Sequence, residues 1–200
     1  AVAEHAGFAA APVIIGHSMG GVVSMHAAAR FELAGAVIVD SPVRRPDPES
    51  EEGSRGRMFH RPKTYPDLET AIRHFHLVPP QPRPEPYIDA YVARHSLHQV
   101  ADGWTWKFDP AAIMRRGARD FTEVVQRIRC RVAIVRGEFS EVVRRDMSEL
   151  LYELLGRNAP LVEIPAAHHH VLLDQPLALV TCLRALLADW QHSIPRSRRS

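Results

Sequence analysis

An α/β fold, built on a mostly parallel sheet flanked by helices, is what this chain predicts, and three observations predict it. Apolar runs of strand length recur at residues 13–15, 36–39, 132–135 and 161–164, each bounded by Gly, Pro or charge. They are continuous rather than alternating, which suits strands covered on both faces. Helical patterns separate most of them, and a sharp glycine-flanked turn joins the first run to a helix.

The first strand, Pro12-Val13-Ile14-Ile15, leads into Gly16-His17-Ser18-Met19-Gly20-Gly21, and then into a small-residue helix with Val22, Val23, Met25 and Ala27-Ala28-Ala29. Glycines flanking a serine at two-residue spacing have no Cβ, so the backbone takes a strained turn that projects the hydroxyl clear of the sheet. The spacing predicts a nucleophile at Ser18. A bare Gly-x-Ser-x-Gly arises by chance in roughly 5 to 10% of chains this long, so its weight comes from the strand-turn-helix setting.

After residues 36–39 the rhythm breaks, because residues 42–118 hold no comparable apolar strand. This places a core in residues 1–43 and 118–193, a cap insertion in 44–117 and a basic flexible tail in 194–200. Residues 42–63, rich in Pro, Gly, Arg and Glu, read as a mobile loop, whereas 67–75 and 87–97 have helical character. The proline run at 79–86 stays extended and stiff, which fits a connector holding two cap helices apart better than an SH3-type ligand. Trp104 and Trp106 either line an apolar substrate chamber under the cap or form the cap's own small core. Beyond the cap, residues 146–155 read as a helix closed by Gly156. Leu177, Val180, Leu183, Leu187 and Trp190 then form an apolar stripe at helical spacing.

A free hydroxyl is a weak nucleophile at neutral pH and needs a base, itself held by an orienting group. Ala166-Ala167-His168-His169-His170 follows directly on the fourth strand and Pro165, which puts it at the carboxyl edge of the sheet with Ser18. One of the three histidines serves as the base. Consecutive loop side chains diverge, and no Cys or carboxylate set with ligand spacing accompanies them, so no metal is expected.

Composition excludes several other classes. With 200 residues, 46% of them hydrophobic, the chain buries one ordinary core and not two large ones. The net charge is +2 and the basic excess gathers in Arg196, Arg198 and Arg199, so the pI near 8.8 does not argue for a nucleic-acid partner. Cys130 and Cys182 stand far apart without a Cys-x-x-Cys partner and read as core thiols in a reducing compartment. No targeting segment or membrane-length apolar stretch is present, so no membrane partner and a cytoplasmic location are expected.

The chain resembles the α/β-hydrolase superfamily, in particular its small, cap-bearing, serine esterase-like members. The elbow Gly16-His17-Ser18-Met19-Gly20-Gly21 carries the resemblance, with Gly35-Ala36-Val37-Ile38-Val39-Asp40-Ser41-Pro42 as the next core strand. Arg131 to Gly137 is similar to the strand after it, and Pro165 to His170 with Asp174-Gln175-Pro176 to the late histidine loop. The resemblance implies that His169 is the base, with His168 where the family usually has Gly, and that the Met19 N–H donates to the oxyanion. It makes His17 a residue that packs rather than reacts, counted with Trp104 and Trp106 among those around the substrate. The family's usual Gly-x-x-Asp reads Gly137-Glu138-Phe139-Ser140 here, so the acid is expected at Asp40, with Glu141 and Glu138 as alternatives. An Asp at that strand end equally serves to cap a turn.

Only some ten residues precede the elbow, where the family has several strands. That implies the C-terminal part of a full hydrolase, with residues 13–15 as an exposed edge open to pairing with another copy. The implied activity is hydrolysis of a small-molecule carboxylic ester or related acyl compound through an acyl-enzyme on Ser18, without a cofactor. The alternative is an inactive hydrolase acting through self-association or protein binding.

Overall fold

The computed structural model describes residues 5–43, 63–82, 86–109 and 121–193. Outside them lie the opening residues 1–4, most of the expected mobile loop, the middle of the proline run and the basic tail at 194–200. Two compact units divide the chain, one of residues 1–45 with 120–200 and one of residues 46–119. In chain order the elements are β1 (Val13–His17), α1 (Met19–Ala28), β2 (Gly35–Val39), α2 (Leu68–Arg73), α3 (Pro86–His95), β3 (Leu97–Val100), β4 (Gly103–Trp106), α4 (Thr122–Gln126), β5 (Arg131–Gly137), α5 (Arg145–Leu154), β6 (Leu161–Ile164), α6 (Val171–Asp174) and α7 (Pro176–His192).

The first unit holds a four-stranded sheet in the order β1-β2-β5-β6, with every pairing parallel. Alternate side chains of the central strands point to opposite faces, and both faces are covered. Ala36, Ile38, Val132 and Ile134 pack with Val22 and Met25 of α1, Ile128 and Leu151. Val37, Val39, Ala133 and Val135 pack on the other side with Ile164, Val171 and Leu179. This double burial is why these strands read as unbroken apolar runs. Cys130 packs against the first of these cores and Cys182 against the second.

Local chemistry sets the element ends. The α5 helix stops where Gly156 takes φ 73°, its N–H bonding back to the Glu153 carbonyl at 2.8 Å. Pro176 opens α7, at a position where its missing N–H leaves nothing unsatisfied. Gly35 lies against the Trp190 ring so closely that a Cβ would fall on it. That contact pins the C-terminal helix to the start of β2.

In the second unit, α2 is capped by Asp67, whose side chain accepts from the Thr70 N–H at 2.7 Å. The α2 and α3 helices match the two helical stretches expected there. A two-stranded antiparallel hairpin, β3-β4, was not expected from the sequence. Neither strand runs apolar: β3 passes from buried Leu97 through exposed His98 and Gln99 to half-buried Val100, β4 is half-buried throughout, and a two-residue link, Ala101-Asp102, joins them ahead of Gly103 at φ 135°.

Among the described residues, β1 pairs along one side only, with β2. Val13 and Ile15 are correspondingly exposed, whereas Ile38 in β2 is 1% exposed and Ile15 46%. Truncating Ile38 to Ala should therefore cost about 2–5 kcal/mol of unfolding free energy, and Ile15→Ala under about 1 kcal/mol. Urea unfolding of the two variants checks this, and equal losses would contradict the assignment of β1 as an edge.

Candidate active site

The parallel ladder continues one residue past the strands and delivers the site residues side by side. The Ser18 N–H bonds to the Val39 carbonyl at 2.9 Å, and the Asp40 N–H to the Val135 carbonyl at 2.7 Å. Both residues then leave the pleat through the left-handed region, Ser18 at φ 53° and Asp40 at φ 43°. For non-glycine residues that conformation costs on the order of 1–3 kcal/mol, and it clusters at functional sites. Gly16 makes the elbow possible, because a Cβ there would fall on the Gly20 carbonyl and Ser24 Oγ.

Ser18 occupies the N-cap position of α1, where a serine ordinarily caps the helix, yet its side chain makes no cap bond. Its Oγ lies 3.0 Å from His169 Nε2 instead. On the other side of that ring, Nδ1 lies 3.3 Å from Asp40 Oδ1. A hydroxyl, an imidazole and a carboxylate thus form one chain, drawn from the turns after β1, β6 and β2. Asp40 is 1% exposed and His169 4%, so the chain sits in a dry setting with only Ser18 part-exposed. Such a chain can take a proton from the hydroxyl onto Nε2 while the carboxylate holds Nδ1–H.

Asp40 is further held from two sides. Its Oδ1 accepts from the Ser140 hydroxyl at 2.6 Å and its Oδ2 from the Gly137 N–H at 2.9 Å. Of the alternative acids, Glu138 is exposed and accepts from the Ala166 N–H at 2.8 Å, and Glu141 is exposed. Of the three consecutive histidines only His168 turns away, and His169 and His170 stand ring to ring, 4.9 Å between centroids, against the divergence expected of them. His168 pairs with Asp174 at 3.0 Å and meets the edge of the Phe139 ring, His169 faces Ser18, and His170 stands against both His169 and His17. His17, from the elbow, donates Nε2–H to the His169 carbonyl at 2.7 Å.

Residues 1–181 match the sequence profile of the Alpha/beta hydrolase family. The chain belongs to that family. Among solved structures it is similar to an E-2-(acetamidomethylene)succinate hydrolase, with 21% identity and a TM-score of 0.71 over 90% of this chain and 68% of that one. It is also similar to an esterase from Mycobacterium tuberculosis, with 20% identity and a TM-score of 0.68 over 88% and 60%. The thioesterase domain from the curacin biosynthetic pathway shares 18% identity at a TM-score of 0.64 over 86% and 66%. At these identities the likeness is one of fold, and this hydrolase-family chain spans about two thirds of the length of these relatives. No curated protein matches it.

Two residues of this hydrolase-family site were not singled out in the sequence. Ser140, buried and bonded to Asp40, stands where the expected Gly-x-x-Asp pattern puts its Asp, and reading Gly137 to Ser140 as a position swap with Asp40 would have found it. Arg136 is buried beneath the same turn, ion-paired to Glu163 and reaching the carbonyls of Glu138 and Val143. A lone charge inside the apolar run of β5 was its signal. Met19 opens α1, so its N–H is among the first four that a helix leaves without an intrahelical acceptor. Trp104 and Trp106 lie on β4 of the second unit, where the Trp104 backbone bridges to Tyr65 and the Trp106 ring packs 5.8 Å from Phe75. No helix among the described residues is long and apolar enough to cross a membrane.

Burial pushes the His17 imidazole below its usual 6.5, and its bond to the His169 carbonyl opposes that more weakly. The unfolded chain therefore takes up this proton near pH 6.5, while the folded chain resists it to lower pH. The associated stability is complete above pH 6.5 and lost as pH falls through the depressed value. Urea unfolding between pH 7 and 5 should show this slope in the wild type, and His17→Gln, which keeps an N–H donor, should flatten it by up to one proton. Identical slopes would contradict a buried, neutral His17.

Proposed function

We propose that this chain carries the reactive centre of a serine hydrolase that cleaves a carboxylic ester or related acyl compound. The observation that carries the reading is the continuous chain from Asp40 through His169 to Ser18, together with the strained, uncapped conformation of Ser18. Membership of the hydrolase family supports it, as do the esterase and thioesterase among the similar folds.

In this reading Ser18 Oγ attacks the acyl carbonyl as His169 Nε2 takes its proton, and the Asp40 carboxylate holds the imidazolium through Nδ1–H. The Met19 N–H, at the positive end of α1, donates to the oxyanion that forms. His169 passes its proton to the leaving alcohol, the C–O bond breaks, and an acyl group remains on Ser18. Water, deprotonated by the same imidazole, then releases the acid and restores the hydroxyl. The reading calls for no cofactor.

A fluorophosphonate probe, which phosphonylates only an activated serine, tests the reading. Labelling of the purified chain that disappears in Ser18→Ala and His169→Ala supports it, whereas an unlabelled, folded chain refutes it. A finer test concerns the acid. Asp40→Asn should lower the labelling rate by about 10⁴-fold, the scale seen when such an orienting carboxylate is lost. Adding Ser140→Asp should return at least about tenfold of that loss, because the Ser140 hydroxyl it replaces lies 2.6 Å from Asp40 Oδ1. No recovery in a folded double variant would mean that the carboxylate must stand at the end of β2.

A second reading, self-association of an inactive hydrolase through the edge of β1, is favoured by the exposure of Val13 and Ile15. Sedimentation tests it. Concentration-dependent dimers that Ile15→Lys abolishes support it, and a monomer at all concentrations removes it.

A further inference from the structure

We propose that His17, His169 and His170 form a binding site for a divalent transition ion of the Zn²⁺ or Cu²⁺ type, and that this ion silences Ser18 rather than assisting it. The inference rests on the reading of Ser18 and His169 as the reactive pair. One ring nitrogen from each of the three histidines lies within 4.8 Å of those from the other two. An ion at the centre of a triangle with sides of at most 4.8 Å stands no more than about 2.8 Å from each corner, so each nitrogen closes by no more than about 0.7 Å to reach a zinc–imidazole bond. Small side-chain rotations supply a movement of that size. The cluster joins the elbow after β1 to the loop after β6, residues more than 150 positions apart.

The hydrogen bonds prepare two of these rings as ligands. A carbonyl can only accept, so the bond from His17 to the His169 carbonyl puts the His17 proton on Nε2 and leaves a lone pair on Nδ1. The Asp40 carboxylate holds the His169 proton on Nδ1 and leaves a lone pair on Nε2. An imidazole whose far N–H donates to a carbonyl or a carboxylate is the usual form of a metal-bound histidine. The third ring, His170, stands 4.9 Å from His169 and 5.8 Å from His17, centroid to centroid.

Ion class follows from the donors. Three imidazoles suit Zn²⁺, Cu²⁺ or Ni²⁺, whereas Mg²⁺ and Ca²⁺ require oxygen ligands. Function follows from the lone pair that the ion occupies. His169 Nε2 is the atom that must receive the Ser18 proton, and an ion bonded there removes that acceptor. Ser18 Oγ, 3.0 Å from Nε2, becomes the nearest oxygen for the fourth tetrahedral position.

The test titrates Zn²⁺ into the full, chelator-treated chain against a chromogenic zinc indicator, and follows fluorophosphonate labelling in parallel. One zinc per chain should bind, Mg²⁺ should not compete, and His17→Gln and His170→Gln should each weaken binding at least about tenfold. Zinc should slow labelling over the same concentration range, and chelator should restore it. If His170→Gln does not fold, as judged by circular dichroism, His170→Asn takes its place. Absence of stoichiometric binding, or an affinity unchanged in both variants, overturns the proposal. Labelling that fails without zinc overturns the hydrolase reading instead, and the indicator titration still reports on the ion site.

Discussion

The hydrogen-bond ladder of the parallel sheet is the constraint on which the rest of the site depends, because it runs on past the strands themselves. Ser18 bonds to Val39, Asp40 to Val135 and Glu138 to Ile164, each through its backbone N–H. Three consecutive strand ends are thereby set level, and each turn begins at the same edge. The pleat alone would send neighbouring side chains to opposite faces. Positive φ at Ser18 and Asp40 breaks that alternation, so a hydroxyl and a carboxylate from different strands face one imidazole. Strain of this kind persists only where the surroundings over-determine it, and here both faces of β2 and β5 are fully packed.

A carboxylate at one strand end also dictates what stands at the next. Asp40 is buried, and an ionised group in a dry setting is tolerable only when donors surround it. The Gly137 N–H and the Ser140 hydroxyl from the neighbouring turn supply two, and His169 supplies a third. A second acid at residue 140 would sit against Asp40 as a like charge at hydrogen-bond distance, which forces one of the two to stay protonated. Ser140 is therefore the complement of Asp40, since its hydroxyl donates where a second carboxylate would repel. Arg136 completes the arrangement by gripping the carbonyls of Glu138 and Val143, which fixes the turn that carries Ser140.

Much of the fold was legible because burial on both faces leaves an unbroken apolar run in the central strands β2 and β5; at the edges, β1 is apolar although Val13 and Ile15 are exposed, and Glu163 interrupts β6. The elbow was legible for a different reason: of the two glycines flanking Ser18, Gly16 is required by close approach, whereas Gly20 has open space where a Cβ would stand, and the second glycine the packing requires is Gly21, against Ser41. The β3-β4 hairpin escaped because half-exposed residues interrupt its pattern, although Asp102-Gly103 was a turn signal in plain view. Ser140 and Arg136 escaped because their roles exist only across strands. Neither a serine after Gly-Glu-Phe nor one arginine among valines announces a partner 100 or 27 residues away.

Under the proposed reading of His169, the crowding of imidazoles follows from how a base is prepared. To accept a proton from Ser18, His169 must present a lone pair on Nε2, keep its own proton on Nδ1 and stay out of bulk water. Burial and Asp40 achieve this, and the His17 N–H on the His169 carbonyl holds the loop in place from below. The His17 ring enters this space because it directly precedes Ser18, and His170 because it directly follows His169. A proton and a soft cation compete for the same lone pair, and the features that poise it for one poise it for the other. Replacing His17 and His170 by residues that pack without ligating would separate the two, at the cost of the His17 bond that holds the His169 loop and of the tilted ring contacts around His169.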